Sequence, residues 1–258
     1  MGAFSGIWYS SRMNIRIALN AAIFFLLLLS PTLAAANQAP PLPPLNDTPS
    51  GLSLPGKFTW FDLATPQINA QKDFYTSLFG WSYRSPGRSE DAYSVILNRG
   101  RVIGGMFQFE PAGGEQDGAA WIVLMSVTDT DQAARTIEAS GGAVELKAAS
   151  VPQRGRHALF RDPAGAMFGV LRSDSGDPPD AEVPVGGILW VDLFARDVEA
   201  MTDFYSRLAP YETEEREISQ GINRTLLTAH GMPRASIVPV DEEANRAAWV
   251  HYVRVENV

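Results

Sequence analysis

The stretch WFDL at residues 60–63 returns as WVDL at residues 190–193, and this repeat decides how the rest of the chain is interpreted. Two further matches accompany it. The sequence DFYTSL at residues 73–78 returns as DFYSRL 130 positions later, and AAW at residues 119–121 returns at residues 247–249. A repeat of this length indicates two tandem domains of one kind rather than a short solenoid unit.

The residues around these matches alternate between helical and strand periodicity. In the first copy, helices are predicted at residues 68–79, which Gly80 ends, and at residues 129–139. Strands are predicted at residues 57–64, 93–97, 102–109, 120–127, 144–146, 157–160 and 167–171. The order βαβββ followed by βαβββ predicts an α+β fold. Helices cover the outer face of a curved mixed sheet, and the other face forms a cleft.

The second copy predicts the same elements but ends before they are complete. A helix is expected at residues 198–208, and strands at residues 187–194, 225–228, 236–240 and 248–255. Because Val258 corresponds to Thr130, at the start of a first-copy helix, the repeat predicts roughly 40 further residues. Either the chain is a fragment of a longer reading frame or a partner chain supplies the missing half. We favour the fragment.

The N-terminal residues are typical of a secretory signal peptide. Residues 1–36 contain two arginines, no acidic residue, an apolar run at residues 21–29 and three alanines at residues 34–36. An uncleaved anchor helix is the alternative, but polar residues and Pro31 interrupt the ~20 apolar residues that a membrane span requires. We expect cleavage near Ala36 and a secreted or periplasmic protein without stable membrane association.

Proline content marks the next boundary. Six prolines at residues 39–55 predict an extended tether with little to bury. The expected parts are a signal peptide at residues 1–36, a linker at residues 37–55, a first domain at residues 56–174, a linker at residues 175–185 and an incomplete second domain at residues 186–258.

Composition excludes several classes of function. The 258 residues carry a net charge of −8, whereas nucleic acids and anionic membranes are bound by basic faces. The absence of cysteine excludes disulfides, thiolate metal sites and cysteine nucleophiles. With three histidines in the chain, a transition-metal site would depend on carboxylates.

The module order, the pair Phe74-Tyr75 before Gly80, and the sequence Asp162-Pro163-Ala164-Gly165 resemble the vicinal-oxygen-chelate superfamily. This superfamily includes glyoxalase I, bleomycin-resistance proteins and extradiol dioxygenases. The tandem arrangement looks most like its two-domain glyoxalase-like branch. The resemblance implies tandem glyoxalase-like domains, each of paired βαβββ modules.

The resemblance also implies where a chelated metal would be held. Enzymes of the superfamily use one side chain on the first strand, one at the start of the second module and a Glu after the Asp-Pro-x-Gly turn. The matching positions here are Trp60, Trp121 or Ile122, and Gly169. None of these residues offers a hard oxygen or an imidazole nitrogen. We therefore expect the inherited metal site to be lost and no cofactor to be bound.

Two residues are candidates for proton transfer. Asp62 lies two positions after Trp60, so both share one strand face, and a carboxylate against aromatic walls can have a raised pKa. His157 is the one histidine of the first domain, and histidine is the usual proton shuttle. The alternatives are a carboxylate satisfied by the backbone and a histidine at a strand edge.

A second set of residues is a candidate for ligand binding. Flat ligands stack on tryptophan, and arginine binds anions through two parallel hydrogen bonds. The alternative for the aromatic residues is the core, and for the arginine an exposed strand edge. The candidates are Trp60, Trp121, Arg156, Trp190 and Asp192.

These observations leave three hypotheses. The first is an exported glyoxalase/bleomycin-resistance-like protein that binds a small organic ligand in an aromatic-lined cleft without a metal. The second is a metal-independent or atypical lyase, isomerase or dioxygenase that uses Asp62 and His157. The third is a structural or interaction module. A small-molecule ligand is the expected partner, and a homodimer is left open.

Overall fold

The computed structural model describes residues 42–86, 93–108, 118–219, 221–241 and 247–257. The helices are α1 (Ile68–Phe79), α2 (Thr130–Ala139) and α3 (Val198–Ser206). The strands are β1 (Phe58–Thr65), β2 (Ser82–Arg84), β3 (Tyr93–Asn98), β4 (Arg101–Gln108), β5 (Ala120–Ser126), β6 (Ala143–Val151), β7 (Gly155–Arg161), β8 (Met167–Ser173), β9 (Ile188–Ala195), β10 (Glu212–Ser219), β11 (Ile222–Ala229), β12 (Met232–Pro239) and β13 (Ala248–Val253).

Two mixed sheets contain all these strands. The first has the order β2-β3-β4-β1-β5-β8-β7-β6, and the second has the order β10-β11-β12-β9-β13. In the first sheet, β1 and β5 pair antiparallel at the centre, and each pairs in parallel with the last strand of its own module. The second sheet repeats the first five positions of this order. The predicted α+β fold of βαβββ modules is therefore confirmed.

The helices begin and end where local chemistry favours it. Helix α1 has the predicted bounds and ends at Gly80, whose φ of +71° is the left-handed conformation that glycine adopts readily. Helices α2 and α3 begin after Asp129 and Asp197, and each of these side chains accepts a 2.9 Å hydrogen bond from a backbone N–H of the first turn. Helix α3 ends at Ser206, two residues before the predicted end.

Two strands were missing from the prediction. Strand β2 has three residues, too few to show a period. All eight residues of strand β10 are exposed, and their sequence is ETEEREIS. It therefore lacks the alternating apolar residues from which a strand is predicted. Its residues are held by antiparallel pairing with β11, and this tertiary contact is absent from the local sequence.

One hydrophobic core joins the two sheets. It contains Phe61 and Phe168 from the first sheet, and Leu193, Phe204 and Trp249 from the second half of the chain. A buried hydrogen bond crosses the same region, because the hydroxyl of Tyr205 on α3 donates to Oδ2 of Asp162 at 2.9 Å. The two domains therefore pack through the sheet faces that carry the helices.

The two predicted linkers lie against the domains and against each other. Residues 42–55 contain no helix or strand, but the Asn46 amide donates to two backbone carbonyls near residue 175, and the Leu54 N–H donates to Asp177 at 2.6 Å. In the second linker, Asp180 accepts hydrogen bonds from Lys57 and Arg234. The sequence predicted an extended tether with little to bury at residues 39–55, and its local pattern contains no signal for these hydrogen bonds to the second linker.

Among the described residues, no helix combines the length and the apolar character that a bilayer crossing requires. The expected signal peptide at residues 1–36 lies outside the described residues.

Candidate functional site

The two faces of the first sheet have different roles. Side chains alternate along β1, so Trp60 and Asp62 lie on one face, and Phe61 and Leu63 on the other. Clusters around Phe61 and Leu63 include residues of α2 and α1, so both helices cover that face. The opposite face, which we call the Trp60 face, carries Trp60 within a smaller apolar cluster.

Asp62 is the polar centre of the Trp60 face. Its Oδ1 accepts a 2.8 Å hydrogen bond from the Trp60 indole and a 2.7 Å hydrogen bond from the Tyr93 hydroxyl. Gly105 pairs with Asp62 across β4, and a Cβ there would overlap both Oδ1 and the Tyr93 hydroxyl. A glycine is therefore required for this hydrogen-bonded arrangement.

Burial governs the ionisation of this group. Desolvation raises the pKa of the Asp62 carboxyl above its ordinary value, while the hydrogen bonds from Tyr93 and Trp60 and the charge of Arg154 act in the opposite direction. The same burial, together with the Asp62 charge, raises the pKa of Tyr93 well above its ordinary value. Tyr93 therefore remains a hydrogen-bond donor at neutral pH.

A buried cation accompanies the carboxyl. Arg154 is 1% exposed, and its guanidinium carbon lies 3.4 Å from the centroid of the Trp60 ring. Its Nε, Nη1 and Nη2 atoms have no hydrogen-bond partner in the part of the chain that the structure describes. Burial lowers the pKa of Arg154, and the charges of Tyr93 and Asp62 oppose that effect.

His157 lies on the same face. It pairs with Leu171, a member of the Trp60 cluster, across β7 and β8. Burial and the charge of Arg154 lower the pKa of His157 to about 4, so its imidazole is neutral at pH 7. The structure thus brings the two predicted proton-transfer residues, Asp62 and His157, onto one sheet face.

The residues at the implied metal positions do not fit a divalent cation. The Trp60 indole donates its N–H to Asp62 and has no lone pair to offer, and Ile122 is apolar. Gly169 has no side chain, and a Cβ there would lie 2.7 Å from Cγ of Leu124 and 2.9 Å from Cδ2 of Leu159. Within the described ranges, no three His, Cys, Asp or Glu side chains converge as metal ligands would.

The predicted tryptophans do not form one wall. Trp121 pairs with Leu63 and therefore lies on the helix-covered face, where its indole donates a 2.9 Å hydrogen bond to the Tyr75 hydroxyl of α1. Its ring centroid lies 4.4 Å from that of His251 in the second domain. The assignment of Trp121 to a ligand cleft is corrected, since it packs between helix, sheet and second domain.

Arg156 is also placed elsewhere. Its guanidinium makes two hydrogen bonds, of 3.0 and 2.7 Å, to the carboxylate of Asp131 in the first turn of α2. It precedes His157 in β7, so it points to the opposite face of the sheet. The arginine of the Trp60 face is Arg154, not the predicted Arg156.

The second sheet repeats the tryptophan–aspartate pair. The Trp190 indole donates a 2.7 Å hydrogen bond to Asp192, which also accepts a hydrogen bond from Ser236. Ser236 takes the position of Gly105, since each pairs with the aspartate of its own sheet. Burial and Asp192 raise the pKa of Tyr252 to about 12.

Trp60 and Trp190 are among the lining residues of one cavity. The cavity has a volume of about 650 Å³, and its other lining residues come from both sheets and from the second linker. Leu45 of the N-terminal segment, Val102 of β4 and Leu189 of β9 also line it, and the second linker closes one side.

Comparison with known proteins finds a family that resembles this architecture. Residues 57–170, which make up the first domain, match the model of the Glyoxalase/Bleomycin resistance protein/Dioxygenase superfamily. The first domain is therefore similar to this superfamily, also known as the vicinal-oxygen-chelate superfamily.

Two curated relatives resemble the chain in sequence. The anthracycline biosynthesis protein DnrV of Streptomyces peucetius is 32% identical over 176 residues, which cover 62% of this chain and 63% of that protein. The putative glyoxylase CFP32 of Mycobacterium tuberculosis is 28% identical over 177 residues, which cover 67% of each. The chain thus spans about two thirds of the length of these relatives.

A solved structure shows the same fold. The Mn(II)-bound glyoxalase from Novosphingobium aromaticivorans superposes with a TM-score of 0.52 at 16% identity, over 73% of this chain and 63% of that one. At this identity the likeness concerns the fold alone.

Proposed function

We propose that this protein binds a small organic ligand between its two domains, on aromatic side chains and without a metal. The observation that carries the proposal is the cavity of about 650 Å³ that Trp60 and Trp190 line together. Its volume is within the ~300–1,000 Å³ of small-molecule sites. Apolar side chains such as Val102 and Leu189 line it beside the two indoles, and this surface suits a flat aromatic ligand.

Hydrogen bonds hold both aromatic rings in place. Asp62 fixes the Trp60 indole and Asp192 fixes the Trp190 indole, at 2.8 and 2.7 Å. A ring held this way loses little conformational entropy when a ligand stacks on it. The relationship to a protein named for anthracycline biosynthesis supports a flat polycyclic ligand.

Tryptophan fluorescence tests the proposal directly. We would titrate the protein with a panel of flat aromatic compounds that includes an anthracycline, and compare Trp60→Phe with Trp121→Phe, whose ring lies on the other face. We expect quenching that Trp60→Phe largely removes and Trp121→Phe retains. No response to any compound, or an equal response from both variants, would overturn the proposal.

We also propose that the protein is exported. The support is the pattern of two arginines, an apolar run and small residues in residues 1–36. Expression with a C-terminal tag and N-terminal sequencing of the periplasmic fraction should give a chain that begins near residue 37. An uncleaved chain in the membrane fraction would contradict export by this route.

Metal-independent catalysis is the second candidate, and the shared face of Asp62 and His157 favours it. A carboxyl with a raised pKa and a neutral imidazole on the same sheet face can transfer protons in an isomerase or lyase reaction. Asp62→Asn should then abolish turnover while ligand binding persists. Unchanged turnover in that variant would exclude the carboxylate mechanism.

A further inference from the structure

The guanidinium of Arg154 is in an environment that an unpaired cation rarely occupies. The residue is 1% exposed, and all three of its guanidinium nitrogens lack a hydrogen-bond partner among the described residues. A buried polar group without a partner carries the full cost of its lost hydration, and charged groups carry the most. Such an arrangement is unfavourable unless something else supplies the missing acceptors.

The neighbouring residues compensate the charge only in part. The Trp60 ring, 3.4 Å from the guanidinium carbon, offers a cation–π contact to one face of the group. Oδ1 of Asp62 is already the acceptor for Trp60 and Tyr93. The N–H groups in the guanidinium plane are therefore left for an acceptor from outside the described chain.

Other arginines of the chain show what a satisfied guanidinium looks like here. Arg156 bonds twice to Asp131, and Arg234 bonds twice to Asp180. Arg234 is itself 8% exposed, so burial alone does not prevent pairing in this fold. Arg154 differs because its nitrogens make no such hydrogen bond, although the Asp62 carboxyl on the same face is near enough for the two charges to interact.

We propose that Arg154 is an anion-binding residue and that the ligand of this protein carries a carboxylate. The planar guanidinium offers two parallel N–H groups, which match the two oxygens of a carboxylate. Arg154 does not itself line the cavity, but the Trp60 ring on which its guanidinium packs does, so Arg154 lies directly behind the proposed ligand site. The inference rests on the proposed ligand-binding function and specifies its chemical class.

Matched acids and amides test this inference. Benzoate and phenylacetate would be compared with benzamide and phenylacetamide, which have the same shape without the charge. Arg154→Met removes the charge but keeps the length that packs on Trp60. Arg156→Met is the control, because that arginine is paired with Asp131 on the other face.

We expect the wild type to bind each acid roughly 10- to 100-fold more tightly than its amide, as charge-assisted hydrogen bonds predict. Arg154→Met should remove this preference, Arg156→Met should keep it, and Arg154→Lys should keep part of it. Equal affinity for acids and amides in the wild type, or an undiminished preference in Arg154→Met, would overturn the inference and leave the proposed function standing. If neither acids, amides nor the aromatic panel bind, the proposed function itself fails.

Thermal unfolding without ligand gives a second readout. If the guanidinium lacks acceptors, Arg154→Met should be at least as stable as the wild type, because it removes a buried charge and breaks no hydrogen bond of the guanidinium. Acids should then raise the Tm of the wild type and not that of the variant. A large loss of Tm in Arg154→Met without ligand would show that Arg154 is a structural residue and would contradict the inference.

Discussion

The indole nitrogen of Trp121 lies 2.9 Å from the hydroxyl oxygen of Tyr75, to which it donates a hydrogen bond. Trp249 makes the same 2.9 Å hydrogen bond to Tyr205 in the second domain. In each domain the hydrogen bond joins a strand that pairs antiparallel with the first strand of the domain to a helix that covers the sheet. Trp121 and Trp249 therefore connect helix and sheet, and neither is among the residues that line the cavity beside Trp60.

The two hydrogen bonds differ in burial, so their removal should lower the free energy of unfolding by different amounts. Tyr205 is fully buried and also donates to Asp162, so Tyr205→Phe leaves two buried polar groups without a partner. We expect a loss of about 2 kcal/mol or more for Tyr205→Phe, and about 1 kcal/mol for the less buried Tyr75→Phe. Urea unfolding of the two variants measures both values, and equal losses would contradict this account of the domain interface.

The raised pKa of Asp62 predicts a pH dependence with a defined sign. A carboxyl whose pKa is raised by folding stabilises the fold at low pH, and this contribution is lost as the pH rises through the folded-state pKa. Asp62→Asn retains an oxygen acceptor for Trp60 and Tyr93 but cannot ionise. Its Tm relative to the wild type should therefore increase as the pH rises from about 4 towards neutrality.

Asp131 provides the opposite control for that experiment. The hydrogen bond from Arg156 lowers the pKa of Asp131, so its contribution is present at neutral pH and is lost as the pH falls. Asp131→Asn should lose Tm relative to the wild type as the pH rises. The same sign for both variants would show that the Asp62 environment is described wrongly.

Gly105 should not tolerate a side chain. A Cβ at this position would overlap the Tyr93 hydroxyl and Asp62, so Gly105→Ala must displace one of them. We expect a loss of about 1–3 kcal/mol, typical of an overpacked core, together with weaker ligand binding at Trp60. Unaltered stability of Gly105→Ala would contradict the packing around Asp62.

The linker between the domains should respond to acid through Asp180. Hydrogen bonds from Arg234 and Lys57 lower the pKa of Asp180 to about 2. The stabilisation is therefore present above the ordinary pKa of 3.8 and is lost as the pH falls towards 2. Asp180→Asn should lower Tm at pH 7, and the difference should shrink below pH 4. Glu182→Gln, at a side chain that is 80% exposed, should have little effect at either pH. A Tm difference for Asp180→Asn that does not change with pH would refute this assignment.

Much of the fold could be predicted because each module shows its periodicity in the sequence. Helix α1 has an apolar stripe and a terminal Gly80, and its predicted bounds are confirmed. Strand β10 could not be found this way, since its eight residues are all exposed and its pairing with β11 is the only reason for its conformation.

For the candidate site, the sequence could predict which residues of one strand share a face. It could not predict how residues of different strands are placed relative to each other. Trp60 and Asp62 share a face because side chains alternate, and the structure confirms that relationship. The face of Trp121 depends on the register of β5 against β1, and a shift of one residue would reverse it. The face of Arg154 does not follow from alternation, because Arg154 precedes β7 and Gly155, the first residue of β7, adopts a φ of +116°.

Nuclear magnetic resonance of the tryptophan side chains tests the central claim most directly. The chain has six tryptophans, and 15N labelling gives each indole N–H its own signal. Titration with the aromatic panel should shift the signals of Trp60 and Trp190, which line the cavity, and leave those of Trp81, Trp121 and Trp249 in place. Shifts confined to those three tryptophans, or no shift with any compound, would contradict a ligand site between the two domains.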